Sequence, residues 1–176
     1  LFFIGILVHV GIDVGINITA PRLLQERVGI PLVEAGYATS LYFLFRTFGC
    51  LSGTFIMARF SPIRFFMVSV LFILAGMTGL YFCRETVTIY ICVALIGLGN
   101  SNVFSIIFSN ALLYMPTRNN EISGLMIMGI TGGAIFPVLM GAASDAMGGQ
   151  IGAVMVLTIC VVYLLFLMIK MKKMAL

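Results

Sequence analysis

The sequence predicts an all-α, polytopic membrane protein with six transmembrane helices, and three of its features do so. Hydrophobic residues make up 61% of the 176 and charged residues only 9%, with a mean hydropathy of +1.17; soluble domains are nearer one half apolar. The apolar residues gather into six runs, at about residues 1–20, 35–57, 65–82, 87–114, 122–143 and 151–169. Each run approaches or exceeds the roughly 20 residues with which a helix crosses about 30 Å of hydrocarbon. None shows the two-residue alternation of barrel strands, and a backbone in lipid must satisfy its own hydrogen bonds, which leaves helices.

The first run holds HVGIDVGIN, in which His9, Asp13 and Asn17 stand at i, i+4 and i+8. They form a stripe on one helix face, with neighbours about 6 Å apart along the axis. An ionised carboxylate facing lipid costs at least about 2.5 kcal/mol, so Asp13 is expected to face the bundle interior or a watery cavity and to have a partner. The second run offers Arg46, in LYFLFRTFG. In antiparallel helices Arg46 lies about 16 Å and Asp13 about 10 Å from the same face, a difference that a long arginine side chain bridges. Such a pair reads either as an ion pair locking two helices or as a substrate or proton site. His9 reads as a hydrogen-bonded interior histidine or, one turn from Asp13, as a proton-sharing group.

The third run follows RFSPIR and carries no comparable polar group. The fourth contains NSNVFSIIFSN, where Asn102, Ser105 and Ser109 fall at i, i+3 and i+7. That face mixes donors with acceptors, as a hydroxyl-rich ligand requires, and it equally suits hydrogen bonds between packed spans. In the fifth, glycines including Gly132 and Gly133 precede Pro137. Small residues allow close helix approach and proline removes a backbone hydrogen bond, so this span is read as a hinge or as tight static packing. The sixth runs into the basic tail KMKKMAL.

Six crossings place Arg59, Arg64, Arg118, Lys170, Lys172 and Lys173 on one side and Arg22, Arg27 and Arg84 on the other. The positive-inside bias then puts the tail in the cytoplasm. The net charge of +4 is spread among loop ends, so topology explains it better than a nucleic-acid partner does. Cys50, Cys83, Cys92 and Cys160 have no metal-ligand spacing and read as small packing residues. With one histidine and one clearly intramembrane carboxylate, an intramembrane enzyme lacks its parts, and GLGNSN lacks the lysine of a phosphate loop. No cofactor is expected. Leu1 opens inside an apolar run without a signal-peptide pattern, which suits the second half of a larger protein.

Spans one to three and four to six are two three-helix units of opposite orientation, the arrangement of inverted-repeat transporters. HVGIDVGIN, FRTFG, RFSP and SGLMIMGITGGAIFPVLMGAASDA together resemble the carboxyl-terminal six helices of the fucose:proton symporter family of the major facilitator superfamily. In related sugar transporters the first two motifs read Gly-Val-Glu-Val and Gly-Arg-Phe-x-Gly, which Gly11, Asp13, Arg46 and Gly49 match in kind. Where that family has Phe-Pro-Thr-Ile-Phe-Ser this chain has FSIIFS, with Ser105 and Ile106 at the proline and threonine positions. The resemblance implies a twelve-helix, proton-coupled, alternating-access sugar carrier of the inner membrane, a monomer when complete, whose amino-terminal half carries the coupling carboxylates. It assigns substrate contact or gating to His9, Asp13, Asn17, Arg46, Asn102 and Ser105, and movement to Gly132, Gly133 and Pro137. Alternatives of other kinds are a carrier for an organic anion or drug and a non-transporting membrane subunit.

Overall fold

The computed structural model describes residues 1–174; Ala175 and Leu176, at the end of the basic tail, lie outside the described residues. The described chain is helical throughout, with helices α1 (Phe2–Val28), α2 (Leu32–Ala35), α3 (Tyr37–Met57), α4 (Pro62–Phe82), α5 (Thr86–Asn100), α6 (Val103–Tyr114), α7 (Asn119–Met128), α8 (Gly132–Met147) and α9 (Ile151–Met174). They make six crossings long and apolar enough for a membrane, because α2 leads into α3, α5 into α6 and α7 into α8. The chain is a multi-pass membrane protein.

Two of the expected spans are interrupted. The fourth breaks at Ser101–Asn102, between α5 and α6, and the fifth passes through a 3-10 turn at Gly129–Thr131. The first does the reverse: PRLLQERV, which follows the apolar run expected to end at about residue 20, continues α1 to Val28. Pro21 has no N–H for the Asn17 carbonyl one turn earlier, which ordinarily breaks a helix. Here the Thr39 hydroxyl donates to that carbonyl at 3.3 Å, so the acceptor is satisfied from α3. The extra turns of α1 also hold neighbours. Arg27 Nη1 donates to the Leu80 and Cys83 carbonyls at the end of α4, both at 2.6 Å, and the Gln150 N–H donates to Glu26 Oε2 at the start of α9. A cation suits the exposed carbonyls of a helix C-terminus. Gly29 then ends α1 in the left-handed region at φ 77, donating to Gln25 O.

The packing repeats across the two triplets. α3 and α4 lie on α5, as α8 and α9 lie on α1, and α4 meets α9 between them. The core is one continuous cluster that includes Ile6, Ile12, Ile16, Phe66, Ile73, Ile96 and Leu157. The second helix of each triplet is the least covered: only 17% of the most apolar stretch of Leu32–Met57, and of Pro116–Met147, is buried. α1 and α8 approach so closely that a Cβ on Gly132 would collide with the Leu7 carbonyl. Of the four cysteines, Cys92 and Cys160 are buried as packing residues, Cys83 is partly buried, and Cys50 is exposed on α3.

Candidate solute-binding site

The polar residues of three helices converge. Asp13 on α1 meets Arg46 on α3, with Nη1 to Oδ2 at 2.8 Å. Tyr42, one helical turn before Arg46, donates its hydroxyl to Asp13 Oδ1. Asn100, the last residue of α5, donates its amide to the Tyr42 oxygen at 2.8 Å and lies 3.4 Å from Asp13 Oδ1. The i, i+4 spacing of Tyr42 and Arg46 puts both on the face of α3 that looks at α1. The break after Asn100 ends α5 where its side chain reaches the pair.

The break itself is seated on glycines of α3. Asn102 Nδ2 donates to the Gly49 carbonyl at 2.8 Å and to Ser101 Oγ at 3.0 Å. A Cβ on Gly49 would come within 2.6 Å of Ser101 Oγ, and one on Gly53 would overlap the Asn102 amide. Glycine four residues apart lets backbone approach backbone in a membrane helix pair.

The cluster is open on one side. The Arg46 and Asp13 side chains keep 28% and 18% of their surface exposed; the other ion pair among the described residues, Arg118 with Glu121, lies at a helix end. Beside the cluster Asn17 Oδ1 has no hydrogen-bond partner among the described residues, and His9 Nδ1 and Asn100 Oδ1, on side chains close enough to interact with each other, make no hydrogen bond of good geometry. His9 is 1% exposed with its ring 6.2 Å from that of Phe104. Asn17 turns its Nδ2 back to the Asp13 carbonyl at 2.7 Å. A half-made polar network in an apolar surround is costly unless something completes it.

Sequence-predicted residues divide accordingly. Asp13 and Arg46 meet as the depth calculation anticipates, and His9 and Asn17 flank them on α1. Asn102 and Ser105 are not part of the cluster. Asn102 stands at the start of α6 with its amide donors committed to Gly49 and Ser101, so the helix break turns it away from the i, i+3, i+7 face. Ser105 is exposed and, with Ser109, lines a separate groove of about 380 Å³ against the α3–α4 connection at Ser61 and Pro62. Gly132 and Gly133 follow the 3-10 turn directly, and Pro137 lies inside α8, four residues after Gly133. Tyr42 and Asn100 complete the cluster although neither stood out as a site residue in the sequence. The Tyr42 signal was its spacing from Arg46; for Asn100 it was its place two residues before Asn102. No group of metal-ligating side chains occurs among the described residues.

The fold these helices form is one half of the major facilitator fold: the chain superposes with a TM-score of 0.88 on the crystal structure of a major facilitator superfamily transporter, FucP, in the outward conformation, over 97% of this chain and 41% of that one, at 22% identity. No known family profile matches the chain. Two curated relatives are similar to it in sequence, the glucose/galactose transporters of Brucella abortus biovar 1 (strain 9-941) and Brucella abortus (strain 2308). Each is 29% identical over 171 residues, which cover 93% of this chain. The chain spans about 40% of the length of these relatives. All these similar proteins are transporters rather than enzymes, and they bear out the resemblance to major facilitator sugar transporters that the motifs carry.

Proposed function

We propose that this chain is the carboxyl-terminal half of a proton-coupled sugar transporter of the cytoplasmic membrane, working by alternating access, with the Asp13–Arg46–Tyr42–Asn100 cluster facing the central solute path. The single observation that carries this reading is the cluster itself: an open-sided charge pair joined to a phenol and an amide, with unpartnered polar atoms around it. A polyhydroxylated solute supplies both donors and acceptors, and so completes such a network where an apolar drug would leave it unmet. The FucP fold and the names of the Brucella relatives support the same class of solute.

The weakly covered faces of α3 and of α7 and α8 suit contact with a second six-helix half, which encloses the path and makes the complete carrier a monomer. Asp13 already has both carboxylate oxygens engaged by Arg46, Tyr42 and Asn100. We assign uptake of the coupling proton to the amino-terminal half, as the resemblance implies, with Asp13 and Arg46 holding or gating the cavity. Gly132 and Gly133, at the junction of the 3-10 turn and α8, with Pro137 beyond, allow the fifth crossing to bend as access alternates. The basic residues of the tail and of the α3–α4 and α6–α7 connections support a cytoplasmic side for those ends. The test is sugar uptake by Asp13→Asn at matched protein level. Loss of uptake is the expected result, and unchanged uptake overturns the assignment of Asp13.

A further inference from the structure

α3 and α4 are consecutive and antiparallel, yet they touch only sparsely. Their counterparts in the other triplet, α8 and α9, are packed along their length, with Gly152 set against the Ala143 carbonyl. The seam left open between α3 and α4 is a groove of about 390 Å³, floored by Gly49, Ser69 and Leu98 and walled by Ile56, Val68 and Phe72. Ser52, on its edge, already donates its hydroxyl to the Phe48 and Gly49 carbonyls. The groove thus presents hydrocarbon surface and little of the hydrogen bonding that a sugar needs.

One end of the groove is cationic. Arg64 lines it, and Arg59 is exposed in the same connection, RFSPIR, which contains no acidic residue. Neither arginine takes part in an ion pair among the described residues. From Arg64 to Phe72 is about 12 Å along α4, close to the roughly 15 Å hydrocarbon depth of one leaflet. A hydrocarbon slot close to one leaflet deep that ends at the Arg64 guanidinium, with a second exposed arginine, Arg59, in the same connection, has the shape and charge for a phospholipid with a net negative head group.

We infer that the α3–α4 seam is a binding site for an anionic phospholipid, with an acyl chain between the helices and the phosphate at Arg64 and Arg59. Its floor includes Gly49, three residues from Arg46, so the bound chain packs against the helix that carries the solute cluster.

Native mass spectrometry of the complete protein, given phosphatidylglycerol or phosphatidylethanolamine with the same acyl chains, tests this. Preferential retention of one phosphatidylglycerol is expected, falling about fivefold in Arg64→Gln and about 25-fold in the Arg59→Gln, Arg64→Gln double variant. Val68→Trp, which fills the slot from a partly exposed position, is expected to lower retention with the thermal midpoint unchanged, and Arg118→Gln on the same side is expected to leave it intact. Equal retention of the two lipids overturns the proposal. So does an Arg118→Gln effect as large as that of Arg64→Gln, which would show diffuse surface attraction. Retention unaffected by Val68→Trp, or cross-linking of a cysteine at position 68 to another helix of the same polypeptide, overturns the acyl-chain site.

Discussion

Asp13 and Arg46 are worth more together than apart. With 18% and 28% of their side chains exposed, neither is fully desolvated, so removing one partner costs less than the roughly 3–5 kcal/mol of a fully buried pair. Asp13→Asn is expected to lower stability by about 2 kcal/mol, because it strands a guanidinium inside the bundle. The Asp13→Asn, Arg46→Gln double variant should recover at least half of that loss, as thermal unfolding of the four proteins of the cycle would show. Additive losses would mean the pair is not coupled. Asn102→Ala separates packing from binding: loss of the bond to the Gly49 carbonyl should cost about 1 kcal/mol, with the KM for the sugar unchanged. A raised KM with unchanged stability would return Asn102 to the solute site. The sequence made the Asp13–Arg46 contact legible because a charge in an apolar run demands a partner and few candidates existed. It did not expose the roles of Asn100 and Asn102, since the polar stretch GLGNSN at the break reads equally well as hydrogen bonding between packed spans and as the end of a helix.

Helix continuity here is decided by contacts that lie far away in sequence. α1 passes through Pro21 because Thr39 satisfies the freed carbonyl, a compensation that no local pattern announces. The break between α5 and α6 similarly depends on Gly49 and Gly53 of α3. In the fifth crossing the two adjacent glycines are not equivalent. A Cβ at position 132 would strike the Leu7 backbone, whereas one at 133 would sit 3.2–3.3 Å from the side-chain methyls of Val14 and Val10. Gly132→Ala should therefore destabilise by about 2–3 kcal/mol and Gly133→Ala by under about 1 kcal/mol, since backbone yields less readily than side chains. Thermal midpoints of the two purified variants would check this, and equal midpoints would refute the α1–α8 contact as described. What could be read in advance was the glycine enrichment around Pro137, but not which glycine touches backbone.

The six crossings as a whole were legible because they are written in composition, as long apolar runs separated by short polar connections. The pairing of helices was less so, since lipid-facing and helix-facing positions are equally apolar and hydropathy does not distinguish them. The open α3–α4 seam and the weakly covered second helix of each triplet emerge only from the packed bundle. Together with the Asp13 cluster they are the features on which the proposed half-carrier and the proposed lipid site rest. The most direct measurement is uptake of labelled L-fucose, galactose and glucose into proteoliposomes holding the complete protein, with and without an inward proton gradient. Gradient-dependent accumulation of one of these sugars, lost in Asp13→Asn, is the expected result. Absence of uptake of all three by correctly folded protein would contradict the sugar-transport reading and move the search to a different solute.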